Sequence, residues 1–277
     1  MADQYIVNGS DLTAIADSIR AKTGETDQLA FPSGFKAAIE GIQSGGGATE
    51  PYIEETYDSN GNLIQANLVG YTKIRNYQFY NCSKLALTSL PSGITYIGNY
   101  AFNNCSKLAL TSLPSGITNI GSYAFMNCTN LALTSLPDGI TSISGNAFSN
   151  CSKLALTSLP SRITSISDYA FDNCSKLALT SLPDGITDIG SYAFNKCSKL
   201  ALTSLPSGIT YIGRDAFRNC TGLTNITFQG TPSNINSSAF NSCPNLTTIN
   251  VPWAEGAVTN APWGATNATI NYNYTGE

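Results

Sequence analysis

Histidine is missing from all 277 residues of this chain. Without it there is no Ser-His or Cys-His pair and no imidazole base, so the commonest routes to nucleophilic and acid–base catalysis are closed. Metal binding loses its most frequent ligand, and no Cys-x-x-Cys pair stands in for it. Charge is scarce as well: Asp, Glu, Lys and Arg make up 12% of the chain, and the net charge is −4. No basic patch dominates, which argues against a nucleic-acid partner. No apolar run approaches the roughly 18 residues that would span a bilayer, so membrane insertion is not expected. The first ten residues, Met-Ala-Asp-Gln-Tyr-Ile-Val-Asn-Gly-Ser, hold neither a basic n-region nor an apolar h-region. No secretory signal is read there, and no wall-sorting motif or C-terminal anchor is seen. Triplets such as Asn104-Cys105-Ser106 match a glycosylation acceptor only as by-products of a repeat.

That repeat is what the chain has in place of charge. Eight cysteines fall 23 residues apart, at Cys82, Cys105, Cys128, Cys151, Cys174, Cys197, Cys220 and Cys243. A phenylalanine stands three residues before each: Phe79, Phe102, Phe125, Phe148, Phe171, Phe194, Phe217 and Phe240. Ala-Leu-Thr-Ser-Leu-Pro recurs unchanged six times, from Ala86–Pro91 to Ala201–Pro206. A fixed period of this length with apolar residues at fixed phases predicts a solenoid. One coil cannot bury its apolar face, but stacked coils can, because each Phe, Cys, Leu and Ile lands on its own copy. With coils about 4.8 Å apart, eight make a rod of roughly 40 Å.

Within the coil Cys105–Asn127, Leu108-Ala109-Leu110 alternates as a half-buried strand, and Pro114 ends it. Ile117 and Ile120 turn the chain inward again. Tyr123–Cys128 reads as a short helical or 3₁₀ turn that buries Ala124, Phe125 and Cys128. The even number of cysteines suggests disulfides, but the spacing argues against them. In-register copies sit about 4.8 Å apart, whereas a disulfide needs Cβ atoms at about 3.8 Å. A buried ladder of free thiols is expected, and Phe102 to Phe217 with Cys105 to Cys220 form the expected core.

The pattern Ile-Gly-x-x-Ala-Phe-x-x-Cys-x-x-Leu, as in Ile97–Leu108, resembles the BspA-like (Treponema pallidum type) leucine-rich repeats over about residues 69–252. The resemblance implies a parallel strand on one face of a curved coil and a role in adhesion or surface recognition. Family repeats carry an aliphatic residue six positions after the Cys, as Ile226 and Ile249 do here. The six central repeats put Thr there (Thr88, Thr111, Thr134, Thr157, Thr180 and Thr203) with Leu one residue earlier, which leaves the central strand register open.

Around the solenoid the chain divides further. Residues 1–43 read as two short helices, one capped by Ser10 and one over Phe35–Ile42, too small to stand without a partner surface. Their wording, Asn8–Arg20 and Phe31-Pro32-Ser33-Gly34-Phe35, resembles tail-associated proteins of phages and prophages of gut Firmicutes. Residues 44–48 are a Gly-rich linker. Residues 49–70 read as a β-hairpin about Asp58-Ser59-Asn60-Gly61 that caps the first coil of a 71–252 solenoid. Residues 253–277 read as the far cap, plugged by Trp253 and Trp263.

Enzyme chemistry is not expected, and no cofactor is called for. The carboxylates Asp138, Asp168, Asp172, Asp184, Asp188 and Asp215 recur as no pair, although a glycosidase dyad from distant residues would be invisible to sequence. Comparing the copies within the chain separates two kinds of surface. Thr88 and its copies are held, and so is a lysine column at Lys84, Lys107, Lys153, Lys176 and Lys199. Three columns drift. Tyr96 becomes Asn119, Ser142, Ser165, Asp188 and Tyr211; Asn99 becomes Ser122, Gly145, Asp168, Ser191 and Arg214. Tyr100 stays Tyr at Tyr123, Tyr169 and Tyr192 but becomes Asn146 and Asp215. A regular Thr/Lys face suits a repetitive glycan, and an irregular Tyr-rich face suits a protein epitope. Either column set also reads as a plain solvated surface. The expectation is therefore a non-enzymatic adhesion protein binding a bacterial cell-surface glycan or protein. Its expected setting is a phage tail tip or fibre within the virion, docked on tail or baseplate proteins through residues 1–43, with a homo-oligomer among the partners considered. The alternatives are a cell-surface adhesin and a ligand-free structural spacer.

Overall fold

The computed structural model describes residues 51–276. The helical module predicted at 1–43 and the 44–48 linker lie outside them.

An antiparallel hairpin opens the fold, β1 (Tyr52–Tyr57) against β2 (Leu63–Val69), with Asp58 accepting the backbone N–H groups of Asn60 and Asn62 at the turn. Next comes a series of two-residue strands, one per coil: β3 (Lys73–Ile74), β4 (Tyr96–Ile97), β5 (Asn119–Ile120), β6 (Ser142–Ile143), β7 (Ser165–Ile166) and β8 (Asp188–Ile189). The other side of the coil adds β9 (Ser204–Leu205), followed by β10 (Tyr211–Ile212), β11 (Asn225–Phe228), β12 (Asn234–Ile235), β13 (Thr248–Asn250) and β14 (Thr269–Asn271). All pairings after the hairpin are parallel, as coils stacked in one direction require.

The central Leu-Ala-Leu runs are extended but do not form regular strands. Each contributes one inter-coil bond, such as Ala109 N–H to Leu87 O at 2.9 Å and Ala132 N–H to Leu110 O at 3.1 Å. Regular pairing on this side is confined to β9–β11–β13–β14, where Ile226 and Ile249 stand in register. Thr in the aliphatic position faces solvent in the six central coils, and the inward side chain there is the Leu one residue earlier, such as Leu110.

The segment predicted as a helical or 3₁₀ turn contains no helix. Its N–H groups alternate between two targets. Those of Tyr123, Phe125 and Asn127 reach the next coil at Gly145, Ala147 and Ser149, while those of Ala124, Met126 and Cys128 bond three residues back. Tyr123 (φ 59) and Asn127 (φ 61) are left-handed, which no continuous right-handed helix accommodates. The alternation lets one stretch fold tightly and still be stapled to its neighbour.

Packing follows the repeat. Phe79 through Phe240 form one column with ring centroids 5.1–5.6 Å apart. These rings, and seven of the eight cysteines, are buried. Each buried thiol donates to the preceding coil's Phe carbonyl, from Cys105 to Phe79 O at 3.0 Å through to Cys243 and Phe217 O at 3.0 Å. All eight cysteines are free. Beyond the eighth Phe the Phe240 N–H bonds Trp263 O at 2.9 Å, and Trp263 and Trp253 pack around Phe228. At the near end the first coil's Ala86 N–H donates to Ile64 O of β2.

Cys82 is only half-buried and has no Phe carbonyl beneath it. In the native protein at pH 8, one thiol per chain is therefore expected to react with Ellman's reagent within minutes, and all eight in denaturant. Fast reaction of three or more native thiols would contradict the buried ladder.

Candidate functional site

A glycine in the Ile-Gly step lets successive coils approach closely. A Cβ on Gly98 would lie 2.5 Å from the Asn76 backbone N, and one on Gly121 2.6 Å from that of Asn99. With glycine there, the ladder closes through Gly98 N–H to Ile74 O at 2.9 Å and Gly121 N–H to Ile97 O at 2.8 Å.

The fourth coil breaks this rule. It reads Ile143-Ser144-Gly145-Asn146 where the third reads Ile120-Gly121-Ser122-Tyr123. Ser144 carries the Cβ that the approach excludes, and its hydroxyl rather than its N–H reaches Ile120 O, at 2.8 Å. The sheet splits at this point into β3–β4–β5 and β6–β7–β8–β10–β12. In the fifth coil Ser167 again replaces glycine, yet the ladder closes with Ser167 N–H to Ile143 O at 2.9 Å.

Beyond the split, along the β6–β7–β8–β10 side, lies an open depression of about 530 Å³. Its walls are Tyr123, Gly145, Asn146, Asp168, Asp188 and Tyr211, with Ser165, Ser167, Ile166 and Gly190 between them. These residues come from all three drifting columns. Ser165, Asp188 and Tyr211 are the outward residues of β7, β8 and β10; Gly145 and Asp168 belong to the second column, Tyr123 and Asn146 to the third. No lysine or arginine lines the depression.

The third column is an outer aromatic stack. Tyr77, Tyr100 and Tyr123 stack at 4.8 and 4.5 Å, and Tyr169 stacks on Tyr192 at 4.8 Å. Each of these tyrosines is left-handed, with φ between 56° and 59°. That conformation is uncommon for a bulky side chain, whereas Asn and Asp adopt it more readily. Burial, and then its stacked neighbours Tyr123 and Tyr77, push the Tyr100 hydroxyl above its usual range. A hydrogen bond to Asp215 raises that of Tyr192, and burial adds to it. Asp215 is itself buried beside Arg214, at 3.4 Å, and ends the second stack.

The second column fastens coils together. Asn76 Oδ1 accepts the Asn99 N–H, Asn99 Oδ1 that of Ser122, and Asp168 Oδ1 that of Ser191, at 2.8, 2.8 and 2.6 Å. Gly145 has no side chain to do this, which adds to the opening.

The other residues singled out in the sequence lie apart from the depression. Tyr96 occupies the outward place on β4. The column Thr88, Thr111, Thr134, Thr157, Thr180 and Thr203 is exposed. Thr88 lines a second depression, walled by Gln65, Asn67 and Glu54 of the hairpin. The lysines Lys84, Lys107, Lys153, Lys176 and Lys199 are exposed as well, and Lys153 Nζ bonds Asn130 Oδ1 at 2.7 Å. Sequence comparison pointed to the three columns but not to their meeting place. The available signal was the one-residue shift of glycine from the place of Gly121 to Gly145.

A protein-family model described as the BspA type leucine rich repeat region matches residues 72–201 and 154–260, in six copies. Among solved structures, a leucine-rich repeat protein from Bacteroides ovatus ATCC 8483 is similar, at 21% identity over 82% of this chain and 76% of that one, with a TM-score of 0.50. A leucine rich cell surface protein from Faecalibacterium prausnitzii A2-165 is 21% identical over 75% of this chain and 84% of its own, at a TM-score of 0.40. The Treponema pallidum leucine rich repeat protein is 23% identical over 70% and 88%, also at 0.40. No curated protein matches the sequence at a significant level.

Proposed function

This chain belongs to the BspA type leucine-rich repeat family, and from that premise we propose that it is a non-enzymatic recognition and adhesion protein whose solenoid binds a bacterial cell-surface glycan or protein. One observation carries the assignment of the face: the three columns that vary between otherwise near-identical coils converge on a single depression of about 530 Å³. That volume lies within the range of small-ligand sites, roughly 300–1,000 Å³. Tyrosines around it supply large contact area at low entropic cost, and asparagine, serine and aspartate supply adaptable hydrogen bonds. The Thr and Lys columns are a soluble outer surface under this proposal.

Of the possible settings, a cell-surface adhesin is in keeping with the family. A phage or prophage tail tip rests on the wording of residues 1–43 alone. Cell fractionation separates them: an adhesin stays with the envelope, a tail component sediments with induced particles.

The test of recognition is saturable binding of the full-length protein to intact Firmicutes cells and isolated walls, before and after stripping of wall glycans. Loss of binding on stripping identifies a glycan ligand, and retention identifies a protein one. Absence of saturable binding to any surface would leave the spacer as the better account.

A further inference from the structure

At its first coil the solenoid leaves one turn with no coil beneath it. In the second coil the turn carbonyls accept N–H groups from the coil below: Asn99 O from Tyr77 at 2.9 Å, Ala101 O from Phe79 at 2.8 Å and Asn103 O from Asn81 at 2.9 Å. The matching carbonyls of the first coil are those of Asn76, Gln78 and Tyr80. Among the described residues no N–H reaches them, and Tyr80 O has only the Cys82 thiol, at 3.9 Å. An asparagine ladder starts at the same edge: Asn104 Nδ2 donates to Asn81 Oδ1 at 2.6 Å, while among the described residues nothing accepts from Asn81 Nδ2. Tyr77 stacks one ring face on Tyr100 at 4.8 Å, and among the described residues no ring covers the other face, so Tyr77 is 56% exposed. Tyr80, 44% exposed, lies across both rings at 5.8 and 6.4 Å.

The rest of this end is closed. The hairpin takes the strand side through Ala86 N–H to Ile64 O at 2.9 Å. β3 caps its own donor: Arg75 N–H meets Gln78 Oε1 at 2.7 Å, and the later coils carry alanine, from Ala101 to Ala239, where Gln78 stands. A further polypeptide coil therefore has nowhere to run, and the open edge is one turn wide. Asn76–Asn81 carries no charge that would select an ion. A row of acceptors, an amide donor and an open ring face match a flat ring with C–H groups on its faces and hydroxyls around its rim. We propose that this edge is a second site, apart from the depression, that receives one neutral pyranose of a surface glycan against Tyr77 and Tyr80. The sugar hydroxyls donate to the carbonyls of Asn76, Gln78 and Tyr80, and one accepts from Asn81 Nδ2. The site rests on the adhesion reading only for the source of the sugar.

The probes are the methyl glycosides of glucose, galactose, mannose and N-acetylglucosamine, with mannitol as a hydroxyl-rich chain that has no ring face. Each is titrated into the full-length protein and followed by tyrosine ring proton shifts. At least one glycoside is expected to saturate, and mannitol is not. The key variant is Tyr77→Asn with Tyr80→Asn. Asparagine already stands at both places in other coils, as Asn146 and Asn103, and Asn146 has the left-handed φ of 56° that Tyr77 shares at 59°, so the fold should be kept. The variant should lose glycoside saturation, while Asn146→Tyr in the depression should retain it. No saturation by any glycoside, equal binding of mannitol, or full glycoside binding by the double variant would each overturn the proposal. Wall adhesion by the parent protein with no glycoside bound rejects this site and keeps the adhesion reading; glycoside binding lost in the double variant, without wall adhesion by the parent, does the reverse.

Discussion

At pH 10 the solenoid is expected to be unfolded, although it is folded at pH 8. The cause is the thiol ladder. Burial, with the neighbouring thiols next, pushes Cys105 up to about 12. Burial pushes Cys243 up to about 11. Burial first and neighbouring thiols second raise Cys128, Cys151, Cys174, Cys197 and Cys220 well above the usual range. In an unfolded chain a thiol ionises near about pH 8.5. Below that pH both states keep their protons and the ladder's full stability is present. Above it the unfolded chain releases protons that the folded chain retains, so stability falls with rising pH until the folded values are reached. Each thiol contributes about 1.4 kcal/mol per pH unit across that window. Seven buried thiols act together, so the fall is about 10 kcal/mol per unit, as large as the whole stability of a typical domain. Circular dichroism against pH, under reductant, follows the transition, and back-titration should restore the fold. Replacing Cys128, Cys151 and Cys174 with alanine should move the midpoint upward. A midpoint that stays put in that variant would show that the thiols do not govern it.

Phe171→Ala is expected to lower stability by about 3–5 kcal/mol, the range for deleting a fully buried aromatic side chain. Phe171 is fully buried between Phe148 and Phe194, 5.6 Å from each. A solenoid makes this site unusually sensitive, because each coil is held only by its two neighbours. Removing a central rung therefore weakens two interfaces and should also split urea unfolding into two phases. The same change at Phe79, which has one stacked neighbour among the phenylalanines, should cost less and leave a single transition. A loss below about 1 kcal/mol at Phe171 would mean that neighbouring side chains collapse into the space.

The parts of the fold legible in sequence are those that depend on a side chain's phase alone. Phe102, Cys105, Leu108 and Ile120 recur every coil, and burying them needs nothing beyond stacking. The turn at Tyr123–Cys128 was not legible as a left-handed turn. Asn127 advertises that conformation, but Tyr123 in the same conformation does not, and apolar spacing alone suggests a helical turn. The strand side was half-legible: alternation marks Leu108-Ala109-Leu110 as extended, yet exposed Thr111 leaves it a single bond to its neighbour. The depression was the least visible feature. The break in the sheet at Ser144 beside it depends on how closely the neighbouring coil's backbone approaches, a distance set by stacking rather than by any one repeat.

The measurement that bears most directly on the binding face is cell adhesion of two full-length variants beside the parent protein. One is Asn146→Tyr, in the depression. The other is Thr134→Glu with Thr157→Glu, in the regular column. The account predicts that the first loses saturable adhesion and the second keeps it. Adhesion lost in the threonine variant and kept in Asn146→Tyr would move recognition to the repeating face and contradict the account.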